Sequence, residues 1–363
     1  MIEISGNTYR YNGEVLTKPE VIVINDHHYD EQAHCYHVEK LVANSICDPH
    51  QHLIIMDGCV RHDDGLSKYN CLCLPVYLAG ECQEFLKQKI QPNWTNKTHA
   101  FNFMINKPRP HREFLLLMIE HFGLTDYRHT LPWRWINLSR STLKTYTTNS
   151  HYHDIIDTLV NVPVTDYKFG PERIMDQGIL NGNFKNAETY QHLLQKNIFE
   201  PTCVSLITEP CFFERESMFT EKTVMAMYAG TLPIWVGGWR LPEYMQSMGF
   251  DIFDDIIDHS YQDLADPLDR CYYAIARNLD LLKDADRLRN YIAANQPRLE
   301  HNLDLLQQNI FLTHCLQTIE RYPPDLKPLL LNIVHQTRNA IFKDLSPDGV
   351  HRLLGTLPKG EVY

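Results

Sequence analysis

A group of polar side chains in the middle of the chain has the composition of a site for a nucleotide diphosphate. Glu209 follows an apolar run, and Thr220, Glu221 and Lys222 stand side by side a few residues later. A lysine at the start of a helix supplies a positive charge for phosphates, next to the free N–H groups of the first turn. A carboxylate accepts hydrogen bonds from the ribose hydroxyls. A plain helix start, with Thr220 as N-cap and Glu221 as a first-turn acid, explains the same triplet equally well.

Apolar runs on both sides of the triplet predict the elements that position it. The run 203–207 predicts a buried strand, a helix begins at Thr220 and ends at Gly230, and the run 232–236 predicts the next strand. Gly230 suits the left-handed conformation with which many helices end. Strand, helix and strand in this order form a βαβ unit, and ligands bind at the carboxyl ends of such strands. We therefore expect the polar group at that edge of a sheet.

The segment resembles the signature region of the α-1,3-fucosyltransferases. In that family a strand ends in a Glu-containing element, a Thr-Glu-Lys triplet opens a helix, and an Ala-Gly-x-x-Pro-Ile-x-x-Gly run follows. Glu209, the triplet 220–222 and the run 229–237 match these parts in order. The sequence departs at Pro210, where the family usually has Asn, so the match does not imply fucose as the sugar. The resemblance implies that Glu209, Thr220, Glu221 and Lys222 bind the donor.

A second match lies upstream, where the run 101–105 predicts a strand and the pattern 112–122 predicts an amphipathic helix. In the fucosyltransferases an arginine that opens the helix after such a strand faces the donor phosphates. Arg112 fits this position best, with Arg109 as its neighbour. A solvated basic turn is the alternative explanation for these two arginines. The two matches together cover about a third of the chain.

The resemblance implies a GT-B glycosyltransferase, in which two Rossmann-like domains face a cleft. Strands that alternate with helices independently predict the α/β class. We predict an acceptor-side domain over residues 1–97, a donor-binding domain over 98–265 and a C-terminal helical region over 266–363. The polar segment 91–98, which contains a proline, is the expected linker.

The implied reaction transfers a sugar from a nucleotide diphosphate to an acceptor hydroxyl, with inversion and without a metal. Lys222 and Arg112 would stabilise the leaving diphosphate, and an acceptor hydroxyl needs a general base. Asp57 and Asp26 follow apolar runs at predicted strand ends, and Asp63 is the third candidate. Each aspartate also suits a turn in which it caps its own backbone.

Composition limits the other functional classes. The net charge of −11 over 363 residues argues against broad binding to nucleic acid or anionic membranes. We find neither a signal-peptide pattern nor an apolar run long enough to span a membrane. We expect a cytoplasmic protein similar to anchor-free bacterial or viral members, and a piece of an anchored relative is the alternative. The ten cysteines lack the spacing of a disulfide framework or a zinc site. The histidine-rich segments 27–28, 50–52 and 151–153 lack zinc-site spacing as well.

We therefore expect no cofactor and no metal. The expected partners are a nucleotide sugar, linked to GDP or UDP, and a glycan or other hydroxyl acceptor. Two alternatives stay open. A protein of the same fold can be a binding protein without catalysis, and a glycosyltransferase can act on modified DNA bases, although the acidic composition weakens that interpretation.

Overall fold

The structure of the chain is a computed structural model. It describes residues 2–5, 8–10, 21–24, 53–57, 59–60, 71–88, 94–104, 110–129, 144–145, 147, 149–160, 195–209, 217–322, 324, 327–328, 330–332 and 334. These residues form two compact units of the α/β class. Unit 1 comprises Met1–Lys89, Phe213–Glu221 and Leu305–Tyr363, and unit 2 comprises Ile90–Phe212 and Lys222–Asp304.

The strands are numbered in chain order. They are β1 (Ile2–Ser5), β2 (Thr8–Arg10), β3 (Val21–Ile24), β4 (Leu53–Asp57), β5 (Cys59–Val60), β6 (Cys71–Leu74), β7 (His99–Phe103), β8 (Tyr127–His129), β9 (Thr202–Thr208), β10 (Ser217–Met218) and β11 (Leu232–Val236).

The α-helices are numbered in the same way. They are α1 (Val76–Gln88), α2 (Pro110–His121), α3 (Ser150–Val160), α4 (Glu221–Tyr228), α5 (Leu241–Ser247), α6 (Pro267–Ala276), α7 (Leu279–Leu282), α8 (Ala285–Ala294), α9 (Gln296–Gln307) and α10 (Ile310–Glu320). A π-helical turn, Gln195–Phe199, precedes β9, and a short 3-10 helix, Ser260–Asp263, precedes α6.

Unit 1 is built on a five-stranded sheet with the order β2-β1-β3-β4-β6. Strands β1, β3, β4 and β6 run parallel, and β2 pairs antiparallel at the edge. The inner strands β3 and β4 are apolar except for Asp57, the last residue of β4, and such continuous apolar runs are typical of parallel strands. Helices α1 and α10 pack together, and Leu74, Val76 and Cys315 belong to their shared core.

Unit 2 is built on a four-stranded parallel sheet with the order β11-β9-β7-β8. Every residue of β9 and β11 is buried, which explains why both strands read as continuous apolar runs. The rings of Phe101, Phe103 and Trp235 lie in the core. Local signals also fix helix starts, because the side chain of Asp266 accepts from two first-turn N–H groups of α6 and Pro267 follows it.

Most of the strand predictions are confirmed. The apolar runs 21–24, 53–56 and 232–236 are β3, most of β4 and β11. The periodicity of residues 268–322 predicts helix with a break at Pro297, and α9 does begin just before this proline. The same stretch also breaks between α6 and α7, between α7 and α8 and between α9 and α10, which the pattern does not predict. Strands β1, β2 and β8 are too short or too polar to give a periodic signal. The sequence pattern also predicts a strand over residues 135–138 and a helix over residues 31–45, and both segments lie outside the described residues.

The two units differ from the predicted domain boundaries. Unit 2 already begins at Ile90, within the first predicted domain. The segment 305–363 belongs to unit 1, and the helices before it belong to unit 2, so the predicted C-terminal region is divided between the two. Chain segments that are distant in sequence thus share one unit, which composition along the chain does not reveal.

Candidate functional site

The strand order of unit 2 reverses between β7 and β9. The chain passes from β7 to β8 on one side and from β9 to β11 on the other. In open parallel sheets, ligands bind outside the carboxyl ends of the strands at such a switch point. The residues that follow β7, β9 and β11 are therefore candidates for a ligand-binding site.

Two side chains of α2 bond to the carboxyl end of β9. The Arg112 guanidinium donates from Nη2 to the carbonyl oxygen of Thr208 at 3.0 Å. The Nε2 atom of His111 lies 2.9 Å from the carbonyl oxygen of Glu209. The two segments in which the sequence predicts donor-binding residues therefore meet at the switch point. His111 was not among the predicted site residues, although it is next to Arg112 in the sequence.

The Glu209 carboxylate is held by a chain of two hydrogen bonds. Thr223 in α4 donates from Oγ1 to Oε1 of Glu209 at 2.7 Å, and the indole N–H of Trp235 donates to Thr223 Oγ1 at 3.1 Å. The Glu209 N–H donates to the carbonyl oxygen of Val236 at 3.0 Å. Glu209 is fully buried, and a buried carboxylate requires such hydrogen bonds. The roles of Thr223 and Trp235 depend on packing, so no local sequence pattern points to these two residues.

The two cations expected to contact phosphates are buried. Arg112 is 4% exposed and Lys222 is 5% exposed. Thr220, by contrast, is partly exposed directly before α4. Buried cations are stabilised only by partners in the interior. A ligand that contacts Arg112 or Lys222 must therefore enter the interior or cause these side chains to move.

The carboxyl end of α4 is capped by the segment that was predicted to be a linker. Lys97 donates from Nζ to the carbonyl oxygen of Ala229 at 2.7 Å, and the Trp94 indole donates to the carbonyl oxygen of Tyr228 at 3.3 Å. Gly230 has a φ of 60°, as the sequence predicts, and an added Cβ would lie 2.6 Å from the Trp94 ring. The segment is therefore anchored in unit 2. Burial lowers the pKa of Lys97 to about 7.

Within unit 1, Glu221 contacts a tyrosine. The Tyr77 hydroxyl, on α1, donates to Oε2 of Glu221 at 3.1 Å. Burial raises the pKa of the Tyr77 phenol, and the carboxylates of Glu221 and Glu81 raise it further. The phenol therefore keeps its proton and remains a donor. Tyr77 and Glu81 are residues that sequence reasoning missed, because they precede Glu221 by more than a hundred positions.

The candidate bases are described only in part. Asp57 is the last residue of β4 and pairs in register with Leu74 of β6. It therefore lies at the carboxyl edge of the parallel sheet of unit 1, where the sequence places it. Asp26, Asp63 and Arg109 lie outside the described residues.

The remaining observations concern metals, thiols and membranes. In the described ranges no group of three or more His, Cys, Asp or Glu side chains is arranged to hold a metal ion. Five of the described cysteines form no disulfide bond: Cys73, Cys82, Cys203, Cys271 and Cys315. No helix in the described part of the chain is long and apolar enough to cross a membrane.

The chain matches no model of a known protein family, no curated protein and no solved structure. Its residues and their geometry are therefore the basis for any functional conclusion.

Proposed function

We propose that this protein is a glycosyltransferase that moves a sugar from a nucleotide diphosphate to an acceptor hydroxyl, with inversion and without a metal. The GT-B class of fold is part of this proposal. The donor would bind at the carboxyl edge of the sheet of unit 2.

One observation carries most weight. Arg112 bonds to the carbonyl group of Thr208, the last residue of β9, and His111 bonds to the carbonyl group of Glu209, the residue after it. Two sequence segments that match one family in order thus also meet in space, at the switch point where parallel sheets bind ligands. A chance match of two unrelated segments does not require this contact.

The site residues have chemically distinct roles in this proposal. Departure of the sugar leaves extra negative charge on the diphosphate, and Lys222 and Arg112 supply the positive charge that stabilises it. Glu221 accepts hydrogen bonds from the ribose. Glu209 is a further donor-binding residue, and the hydrogen bond from Thr223 holds its carboxylate in place. Asp57, at the carboxyl edge of the other sheet, is the first candidate to take the proton of the acceptor hydroxyl.

Nucleotide binding tests the proposal before any acceptor is known. Thermal denaturation of the whole chain should be followed with GDP and with UDP, with the matching monophosphates as controls. A ligand at about 100 times its dissociation constant stabilises by about 2.7 kcal/mol, and the diphosphates should stabilise more than the monophosphates.

Hydrolysis of the corresponding nucleotide sugars should then continue in excess EDTA. The absence of any stabilisation by either diphosphate would contradict the proposal, and activity lost in EDTA and restored by manganese would contradict its metal-independent mechanism.

A binding protein without catalysis is the second candidate, and one observation favours it. Arg112 and Glu209 are buried and bonded within unit 2, as expected of residues that only stabilise the fold. Binding of a diphosphate without hydrolysis or transfer of any nucleotide sugar would favour this candidate. Salt-dependent binding to DNA would instead favour a transferase that acts on modified bases.

A further inference from the structure

Arg240 combines an unusual backbone with an exposed cation. It follows Gly237, Gly238 and Trp239 at the carboxyl end of β11, and its φ of 56° and ψ of 32° are left-handed. For a residue with a Cβ, this conformation is unfavourable. Its side chain is 45% exposed, in contrast to the buried Arg112 and Lys222.

Internal contacts explain the other two left-handed residues that are not glycine. Asn309 accepts a hydrogen bond from the N–H of Leu312 as an N-cap. The N–H of Phe253 donates to Oδ1 of Asp251 at 2.9 Å, and its side chain is fully buried. In both cases the surrounding structure stabilises the backbone conformation.

Arg240 has no comparable internal support in the described part of the chain. Its side chain makes no hydrogen bond that caps α5. Its Nη1 atom lies 3.7 Å from Oε2 of Glu243, which is 54% exposed, and exposed pairs of this kind contribute little stability. The guanidinium lies over the Trp239 ring, 5.5 Å from its centroid, which orients the cation. Strain that packing does not explain is found most often at functional sites.

The position of Arg240 connects it to the proposed donor site. Strand β11 is hydrogen-bonded to β9, and the N–H of Glu209 donates to the carbonyl oxygen of Val236, the last residue of β11. Arg240 thus follows the same carboxyl edge at which Arg112 and His111 meet β9. An exposed guanidinium at this edge suits an anion with several oxygen atoms.

We propose that Arg240, oriented by Trp239, is a further ligand-binding residue that contacts the diphosphate group of the nucleotide sugar. This inference rests on the proposed function and adds a residue that the sequence match does not include. In this proposal the left-handed backbone orients the Arg240 side chain toward the diphosphate. The strain of that backbone lowers the stability of the folded protein.

Three variants of the full chain test the inference. Arg240→Gly and Arg240→Ala both remove the cation, but only glycine relieves the left-handed backbone. Arg287→Ala is the matched control, because Arg287 is also an exposed arginine stacked on a ring, 5.4 Å from the centroid of Tyr291, in ordinary helix α8. Calorimetry gives the Kd for GDP and UDP, and thermal denaturation gives Tm.

Both Arg240 variants should raise the Kd of the diphosphate that binds wild type about 10-fold, and Arg287→Ala should leave it unchanged. The Gly variant should melt about 2–4 °C above the Ala variant. If wild type binds a diphosphate and Arg240→Gly binds it with the same Kd, this inference is wrong and the proposed function is unaffected. An Arg240→Gly variant that melts below Arg240→Ala would also overturn this inference. Failure of wild type to bind either diphosphate would overturn the proposed function and this inference together.

Discussion

Replacement of Lys97 by methionine should remove the rise in the free energy of unfolding that Lys97 causes between pH 7 and 10.5. Lys97 is 5% exposed and its amine donates to the carbonyl oxygen of Ala229. Burial lowers its pKa from 10.5 to about 7. The buried thiol of Cys203 lies close enough to act on this charge, and its own pKa is raised to about 11, so it stays neutral and gives Lys97 little compensation.

The sign follows from the protons that each state binds. Between pH 7 and 10.5 the unfolded chain holds the Lys97 proton and the folded chain does not, so the free energy of unfolding rises with pH. The whole difference corresponds to roughly 5 kcal/mol, at about 1.4 kcal/mol for each pKa unit. Between pH 7 and 9 the gain should be about 2–3 kcal/mol. Below pH 7, burial of the charged Lys97 amine lowers the free energy of unfolding by this full amount. Above pH 10.5 the amine is neutral in both states and the effect is absent.

Tryptophan fluorescence during urea unfolding measures this effect selectively, because all five tryptophans belong to unit 2. Lys97→Met keeps the length of the side chain and removes the charge. It also removes the bond to Ala229, at a cost of about 1–3 kcal/mol that does not depend on pH. The unfolding free energy of wild type minus that of the variant should therefore rise by about 2–3 kcal/mol from pH 7 to 9.

Lys283→Met is the control, since Lys283 is an exposed lysine in the same unit. It should keep the pH dependence of wild type. If Lys97→Met also keeps that dependence, Lys97 stays charged in the folded protein, and the argument from burial is wrong.

Four further predictions concern the backbone and the proposed site. Gly230→Ala should lower the free energy of unfolding of unit 2 by about 2 kcal/mol or more. Gly123→Ala should cost less, because Gly123 has a similar φ of 64° but no atom within 4 Å of an added Cβ; equal losses would mean that Trp94 moves aside freely. Lys222→Met should reduce sugar transfer about 100-fold, and the urea midpoint of unit 2 shows whether the variant is still folded. Normal turnover would exclude a role of Lys222 in stabilising the leaving diphosphate. Tyr77→Phe removes the donor to Glu221 and should raise the Kd of the bound diphosphate about fivefold in calorimetry, whereas an unchanged Kd would show that Glu221 needs no such support. Asp57→Asn should keep donor binding and abolish transfer together with the acidic limb of its pH profile. Full turnover would show that Asp57 is not the general base.

Local sequence patterns predicted much of the fold, because strands and helix ends depend on nearby residues. The run 232–236 is a fully buried strand, since a parallel strand covered on both faces needs apolar side chains at every position. Gly230 ends α4 with a positive φ, which a residue without a Cβ adopts at low cost. The sequence also identified Arg112, Glu209 and Lys222 as polar residues next to strands and helix starts.

Only the tertiary structure decided which of these residues meet. The family resemblance implies that Arg112 faces phosphates, and the structure adds that its guanidinium donates to the carbonyl of Thr208, 96 positions away. The segment around Lys97 has the composition of a linker, yet it caps a helix 132 positions away. Tyr77 contacts Glu221 across 144 positions. Such partners are brought together by strand order and packing, and a hydrophobic pattern determines which residues are buried but not which distant residues they meet.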